Sequence, residues 1–192
     1  MFGQWLDIPP YNPDNHLYDY FYQNAVSVPE VSDSCPPLTF KIGDNVLEFG
    51  REQFCLVTGF RLGQVAKEET DIGRIVRGIP YSPFFDRLFP EKKSTNKKRI
   101  KGEELLKLMN SGPVWDSLLD LDAVRVSLLV IATSVFIGRE PRFYIPDHML
   151  KMIEDLSVWN NYPWGEYMWA HLYKRTVNVV PRHTIKESKK PV

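Results

Sequence analysis

Two cysteines, Cys35 and Cys55, are the residues of this sequence best suited to nucleophilic chemistry. A catalytic thiol must be partly exposed and must lie beside a base or a positive charge that stabilises the thiolate. Cys55 stands between two large apolar residues in a segment predicted to be a buried helix, and Cys35 precedes two prolines with no identifiable base. We therefore predict two structural cysteines, and two thiols are too few for a disulfide scaffold.

The histidines and carboxylates form no pattern typical of an active site. The four histidines have no spacing that indicates a zinc site. Glu154 and Asp155 are adjacent, so their side chains point in different directions on a helix. A solvated face, or ion pairs with Arg139 and with Lys174 and Arg175, is the favoured alternative. No phosphate-binding loop or dinucleotide fingerprint is present. We therefore predict that the protein is not an enzyme and holds no metal or cofactor.

Aromatic residues cluster in the segment WNNYPWGEYMW, residues 159–169. Two interpretations are open. In the first, the rings pack into the core, and Asp155 or Glu166 can accept a hydrogen bond from a buried indole N–H. In the second, the rings form a partly exposed surface. Such a surface would bind another protein, because Trp, Tyr and Arg are enriched in binding hot spots. Its residues would be Trp159, Tyr162, Trp164, Tyr167, Trp169 and Arg175.

Positive charge is concentrated in two segments of a chain whose formal net charge is zero. Segment 91–101 carries six basic residues and one acidic residue, and segment 182–192 carries four basic residues and one acidic residue. Such cations contact phosphates, serve as a nuclear-import signal or are simply solvated. Neither an aromatic residue nor a helix-turn-helix interleaves the first segment. Its basic residues are Lys92, Lys93, Lys97, Lys98, Arg99 and Lys101, and residues 182–190 would extend a nucleic-acid surface.

The element predicted to organise these residues is a helix at about 120–137. Its sequence is apolar on every face from Leu128 to Ile137, apart from Thr133 and Ser134, whose hydroxyls can bond to the carbonyl one turn back. A helix that is hydrophobic all round lies inside a domain. Its apolar run is about half of the ~20 residues needed to cross a bilayer, so we predict a buried core helix and no membrane span.

The remaining pattern predicts a mainly helical α+β fold forming a single compact domain. Alternating apolar residues around Gly43, Asp44 and Asn45 predict a small β-hairpin at about 38–49. A polar loop is expected at 64–78, and the basic segment 91–101 is expected to separate an N-terminal α+β half from a helical C-terminal half. Residues 1–34 would be irregular with a short helix, and 184–192 a basic tail. Further helices are predicted at 16–25, 51–58, 83–89, 101–110, 146–156 and 165–180.

Four stretches together resemble the plant domain family DUF1985. They are FKIGDNVLEFGREQFCLVTGFRLG (40–63), SPFFDRLFP (82–90), LDLDAVRVSLLVIATSVFIGRE (119–140) and EDLSVWNNYPWGEYMWAHLYKRTVNVV (154–180). The resemblance covers roughly residues 35–183, with a more distant likeness to the helical plant mobile domain. It implies a domain that stands upstream of a Ulp1-like cysteine protease in transposon-derived genes. The family has no established catalytic residues, so none is carried over.

The function predicted from these observations is a non-catalytic protein-interaction module of plant, transposon-related origin, which binds its partner through a surface near residues 159–175 or through the loop 64–80. The alternative is a module that binds DNA or RNA through 92–101 and 182–190. The N-terminus lacks the basic and apolar regions of a secretory signal, so we expect a nuclear or cytoplasmic location. An enzyme with an unrecognised site would instead show a deep pocket lined by converging polar groups.

Overall fold

The predicted fold class is confirmed, because the chain is mainly helical with a two-stranded antiparallel hairpin. A computed structural model describes residues 15–26, 35–63, 76, 78, 83–92 and 99–187. Contacts group the chain into two compact units, residues 1–64 with 163–192 and residues 65–162. We call these the hairpin unit and the helical unit. The predicted division at 91–101 is therefore wrong. That segment falls inside the helical unit, and residues 163–192 group with residues 1–64 rather than with the helices that precede them.

The structure gives the bounds of nine α-helices within the residues described above. They are α1 (Asn15–Gln23), α2 (Arg51–Thr58), α3 (Pro83–Leu88), α4 (Gly102–Met109), α5 (Pro113–Asp116), α6 (Asp120–Val130), α7 (Asp147–Met152), α8 (Leu156–Asn161) and α9 (Trp164–Glu187). A 3-10 turn at Pro90–Lys92 follows α3, and a π-helical turn at Ile131–Phe136 continues α6. The predicted loop 64–78 lies outside the described residues except for Val76, which is helical and buried, and Gly78.

The β-hairpin forms where the alternating pattern predicts it. Strand β1 (Leu38–Ile42) pairs antiparallel with β2 (Asn45–Phe49), and Leu38 lies opposite Phe49. Gly43 adopts a φ of +60° in the connecting turn, a conformation that glycine reaches without a steric cost. The second strand leads directly into α2, which spans the predicted residues.

The core of the hairpin unit joins the hairpin to the last helix. Its buried residues are Cys35, Leu38, Trp169, Tyr173 and Val177. The indole N–H of Trp169 donates to the backbone carbonyl of Cys35 at 3.2 Å. A carbonyl therefore satisfies this buried indole, where the sequence predicted a carboxylate from Asp155 or Glu166. Asp155 accepts from backbone N–H groups at the start of α8, and Glu166 forms an ion pair with Arg51.

Helix α9 can approach α2 closely only because its second residue is Gly165. A Cβ atom at this position would lie 2.3 Å from Sγ of Cys55 and 2.8 Å from the carbonyl oxygen of Arg61. The backbone N–H of Gly165 donates to that same carbonyl at 2.9 Å. The close approach buries Cys55 beneath the first turn of α9.

In the helical unit, α6 and its π-helical turn are buried on one side and exposed on the other. Val126, Leu129 and Ala132 have no exposed area, whereas Val135 is 66% exposed. The Thr133 hydroxyl donates to the carbonyl of Leu129 at 2.7 Å, the bond to the preceding turn that the sequence predicts. The prediction of burial on every face is wrong, because an apolar sequence does not supply neighbours on every side.

Two helix boundaries differ from the prediction by four residues or more. The predicted helix 146–156 is α7, which ends at Met152, and α8 begins after Asp155. The Asp155 carboxylate accepts from the backbone N–H groups of Ser157 and Val158 at 2.8 and 3.4 Å, which caps a new helix rather than continuing the old one. Helix α9 runs to Glu187, beyond its predicted end at residue 180, so part of the predicted basic tail is helical.

Candidate functional sites: a basic groove and an apolar helix face

The aromatic segment 159–169 belongs mainly to the core. Four of the six residues predicted to form an interaction surface are buried, namely Trp159, Tyr162, Trp164 and Trp169. Tyr167 is half-buried, with its ring edge-on to Trp164 at 6.0 Å, and Arg175 is exposed. A side chain without exposed area cannot contact a partner, so the structure favours the core interpretation for these four rings.

Both cysteines are buried free thiols. Burial raises the pKa of the Cys55 thiol, and the nearby carboxylate of Glu166 raises it further. A raised pKa keeps the sulfur protonated, whereas a nucleophilic cysteine needs a stabilised thiolate. Within the part of the chain that the structure describes, no group of three His, Cys, Asp or Glu residues is placed to hold a metal ion.

A buried network of charges holds the first turns of α6 in the helical unit. The Asp122 carboxylate accepts from Nε and Nη2 of Arg87 at 2.9 and 2.7 Å, and from Nη1 of Arg125 at 3.0 Å. Arg125 also donates to the backbone carbonyl of Glu154 at 2.9 Å and lies 3.7 Å from its carboxylate. The sequence offers a solvated face, Arg139, or Lys174 and Arg175 for these carboxylates, whereas the observed ion-pair partner of Glu154 is Arg125.

The charges of this network fix Asp122 in its ionised form. The hydrogen bonds from Arg87 outweigh the opposing effect of burial and hold the pKa of Asp122 below its ordinary value. The guanidinium carbon of Arg125 lies 5.6 Å from the centroid of the Phe84 ring, a cation–π distance. A carboxylate locked in its charged form between two arginines is a poor proton donor or acceptor.

A backbone pairing brings part of the basic segment against an aromatic ring. The N–H of Ile145 donates to the carbonyl of Ile100 at 2.8 Å, and both isoleucines are buried. Lys101 and Tyr144 form an isolated antiparallel bridge beside this bond. The guanidinium carbon of Arg99 then lies 5.3 Å, and Nζ of Lys101 5.8 Å, from the centroid of the Tyr144 ring.

Arg99, Lys101 and Tyr144 line an open groove with a volume of about 530 Å³, which we call the basic groove. Its lining residues are Lys92, Arg99, Lys101, Glu103, Glu104, Lys107 and Tyr144. No aromatic residue interleaves the basic segment in the sequence, but Tyr144 reaches it in space from a distant part of the chain. The predicted residues Lys93, Lys97 and Lys98, and the side chains of 182–190, lie outside the described residues.

The two acidic residues of the basic groove are engaged by its lysines. Glu104 forms an ion pair with Lys92 and accepts from the backbone N–H of Lys101 at 2.8 Å. Burial alone would raise the pKa of Glu104, but these bonds outweigh it and lower the pKa. Glu103 lies 3.4 Å from Nζ of Lys101. Four cations against two carboxylates leave the lining positive.

A second candidate site is an apolar stripe along α6 and its π-helical turn, which we call the apolar face. It consists of Leu121, Val124, Leu128, Ile131 and Val135. Leu121, Val124 and Val135 are 48%, 46% and 66% exposed, and the other two are half-buried. Their alternating spacing of three and four residues is that of a coiled-coil seam. This spacing is readable in the sequence, but the apolar residues on the other faces of the helix conceal it.

The two ends of the apolar face carry opposite charges. Asp116 and Asp120 are exposed near the start of α6. Arg139 follows the π-helical turn at the other end, where its Nη1 donates to the backbone carbonyl of Tyr144 at 3.0 Å. A partner lying along the apolar face therefore meets negative charge at one end and positive charge at the other.

Comparison with known proteins identifies one family. The family model described as a domain of unknown function, DUF1985, matches residues 32–175. No curated protein and no solved structure matches the chain. Among the described residues, no helix is both long enough and apolar enough to cross a membrane.

Proposed function

The chain belongs to the DUF1985 family, and on that premise we propose that it acts as a non-catalytic protein-interaction module. The observation that carries the proposal is the apolar face. Soluble proteins rarely leave a continuous apolar stripe exposed unless it binds another surface. The proposal includes the plant, transposon-related origin, the association with Ulp1-like protease domains and the nuclear or cytoplasmic location expected from the resemblance.

The proposed occupant of the apolar face is an amphipathic helix of another protein. A seam of alternating three- and four-residue steps matches the knobs of a second helix. From Leu121 to Ile131 the α-helical part of the seam is about 15 Å long at ~1.5 Å per residue, which fits about three turns of a partner helix. Ser127 and Ser134 are half-buried beside the seam, and their small side chains leave room for close packing.

Charge at the ends of the apolar face favours one direction of the partner helix. A helix with basic residues opposite Asp120 and acidic residues opposite Arg139 has complementary charge at both ends. The reversed helix places like charges together, which is unfavourable. The proposed partner is therefore a helix with an apolar seam, a basic end and an acidic end.

The double variant Val124→Glu, Val135→Glu is expected to lose partner binding while it keeps its fold. Both side chains are exposed, so their replacement alters stability by no more than about 0.5 kcal/mol each, whereas charge on the seam prevents apolar packing. The measurement is affinity capture from nuclease-treated plant nuclear extract. Val46→Glu is the matched control, because Val46 is 62% exposed on β2.

The expected result is a protein retained by the wild type and by the Val46 control but lost with the double variant. Capture of the same proteins by all three chains would contradict the proposal. Light scattering supplies a second criterion. A dimer that the double variant converts to a monomer would show that the apolar face binds a second copy, which also contradicts a helix of another protein as occupant.

Nucleic-acid binding remains a second candidate function, and the basic groove favours it. Its described cations include Lys92, Arg99 and Lys101 of the predicted segment, joined by Lys107. The two candidates differ in their response to salt. Binding through phosphates weakens steeply between low and moderate salt, whereas an apolar helix interface changes little.

A further inference from the structure

We infer that the basic groove binds single-stranded nucleic acid, with one base stacked on Tyr144 and adjoining phosphates at Arg99, Lys101 and Lys107. This inference rests on the second candidate function and deepens it by naming the form of nucleic acid. It does not depend on the apolar face.

The stacking surface is a fixed, accessible ring. Tyr144 is 46% exposed, and its backbone is held by the bridge to Lys101 and by the bond from Arg139 to its carbonyl. A ring fixed through its backbone loses little freedom when a base stacks on it. Proteins that bind single strands combine such aromatic platforms with cations that follow the phosphate chain.

The cations lie at distances that suit a stacked nucleotide. Arg99 and Lys101 already lie within 6 Å of the ring centroid. A guanidinium plane is itself a stacking surface for a base, so Arg99 can cover the outer face of the base once its side chain moves away from the Tyr144 ring to admit it. Lys107 is exposed on α4, at the groove lining, where it can meet the phosphate of the next nucleotide.

The acidic residues of the groove do not cancel this charge. Lys92 and the backbone N–H of Lys101 engage Glu104, and Nζ of Lys101 faces Glu103. Within the described part of the chain, neither Arg99 nor Lys107 forms an ion pair. These two side chains can therefore contact phosphate without breaking a bond to a carboxylate.

The geometry favours a single strand over a duplex. In a duplex both faces of every internal base are covered by its neighbours, so an exposed tyrosine ring finds no base face to stack on. A groove of about 530 Å³ accommodates a ligand of the size of a nucleotide. Duplexes would meet only the cations and bind through charge alone.

The test is a fluorescence anisotropy titration with labelled oligo(dT), oligo(U) and a DNA duplex of equal length. Replacing tyrosine by leucine in Tyr144→Leu removes the stacking ring and is expected to weaken single-strand binding about 5- to 150-fold. Phe143→Leu is the matched control, because Phe143 is 49% exposed beside Tyr144 but does not line the groove. It should bind as the wild type does, and Tyr144→Trp should preserve binding.

Charge is tested by Lys107→Gln. This variant should reduce the slope of log Kd against log salt concentration by about one, the change expected when one phosphate contact is lost. Unchanged melting temperatures show that each variant is folded.

Binding of single strands that is the same in wild type and Tyr144→Leu, or equal binding of the duplex, would overturn the stacking site while leaving the second candidate function in place. Failure of the wild type to bind any of the three oligonucleotides would overturn both. Preference between oligo(dT) and oligo(U) assigns the ligand as DNA or RNA.

Discussion

Asp122→Ala is expected to lower the free energy of unfolding by about 3–5 kcal/mol. The Asp122 side chain is 3% exposed, and its removal leaves the buried guanidinium of Arg125 without its closest counter-charge. Arg87, at 44% exposed, can return to water, but Arg125 cannot. The measurement is equilibrium unfolding in urea at pH 7. Asp120→Ala is the control, because Asp120 lies in the same helical turn with its side chain exposed.

The destabilisation caused by Asp122→Ala should also depend on pH in a defined direction. The pKa of Asp122 is lowered in the folded protein, chiefly by the hydrogen bonds from Arg87. Stability from such a carboxylate is fully present above the unfolded pKa of about 3.9 and is lost as the pH falls through the folded value. The difference between wild type and variant should therefore narrow below about pH 4. A difference that stays constant from pH 7 to pH 3 would contradict the ionic account of this network.

Trp169→Ala is the second change with a large expected effect, a loss of about 3–5 kcal/mol. Trp169 has no exposed area, and its ring centroid lies 5.8 Å from that of Phe49 and 5.9 Å from that of Phe54. Its replacement leaves a cavity between α9 and the hairpin and removes the indole bond to Cys35. Thermal and urea unfolding measure the loss.

Leu172→Ala provides the comparison for Trp169→Ala, because Leu172 lies on the same helix but is 41% exposed. Its replacement should cost no more than about 1 kcal/mol. Similar losses for the two variants would show that α9 does not pack on the hairpin as described.

Local features of the fold were predictable because their causes are local. The hairpin follows from alternating apolar residues and a turn that begins at Gly43, and α2 ends at Gly59, which adopts a φ of +68°. The break between α7 and α8 was missed for a local reason as well. The apolar residues continue through it, and the capping carboxylate of Asp155 decides the boundary.

Long-range features were not predictable because the sequence carries no local sign of them. The hairpin unit joins residues 1–64 with residues 163–192. Nothing in the sequence of α9 indicates which strand its aromatic residues will cover. Tyr144 meets Lys101 only because a backbone pairing aligns their segments. The exposure of one side of α6 was not predicted from its sequence. An apolar pattern shows which residues a helix can bury, but burial also requires another element of the fold to pack against them.

The most direct test of the central claim is photo-cross-linking from the apolar face. A benzophenone side chain at Val135, with Val46 as the control position, is activated in nuclease-treated plant nuclear extract, and the cross-linked peptide is sequenced by mass spectrometry. We expect a peptide of another protein with apolar residues at alternating steps of three and four, captured from Val135 and not from Val46. A cross-link to a second copy of this chain, or equal cross-linking from both positions, would contradict the claim that the apolar face receives a partner helix.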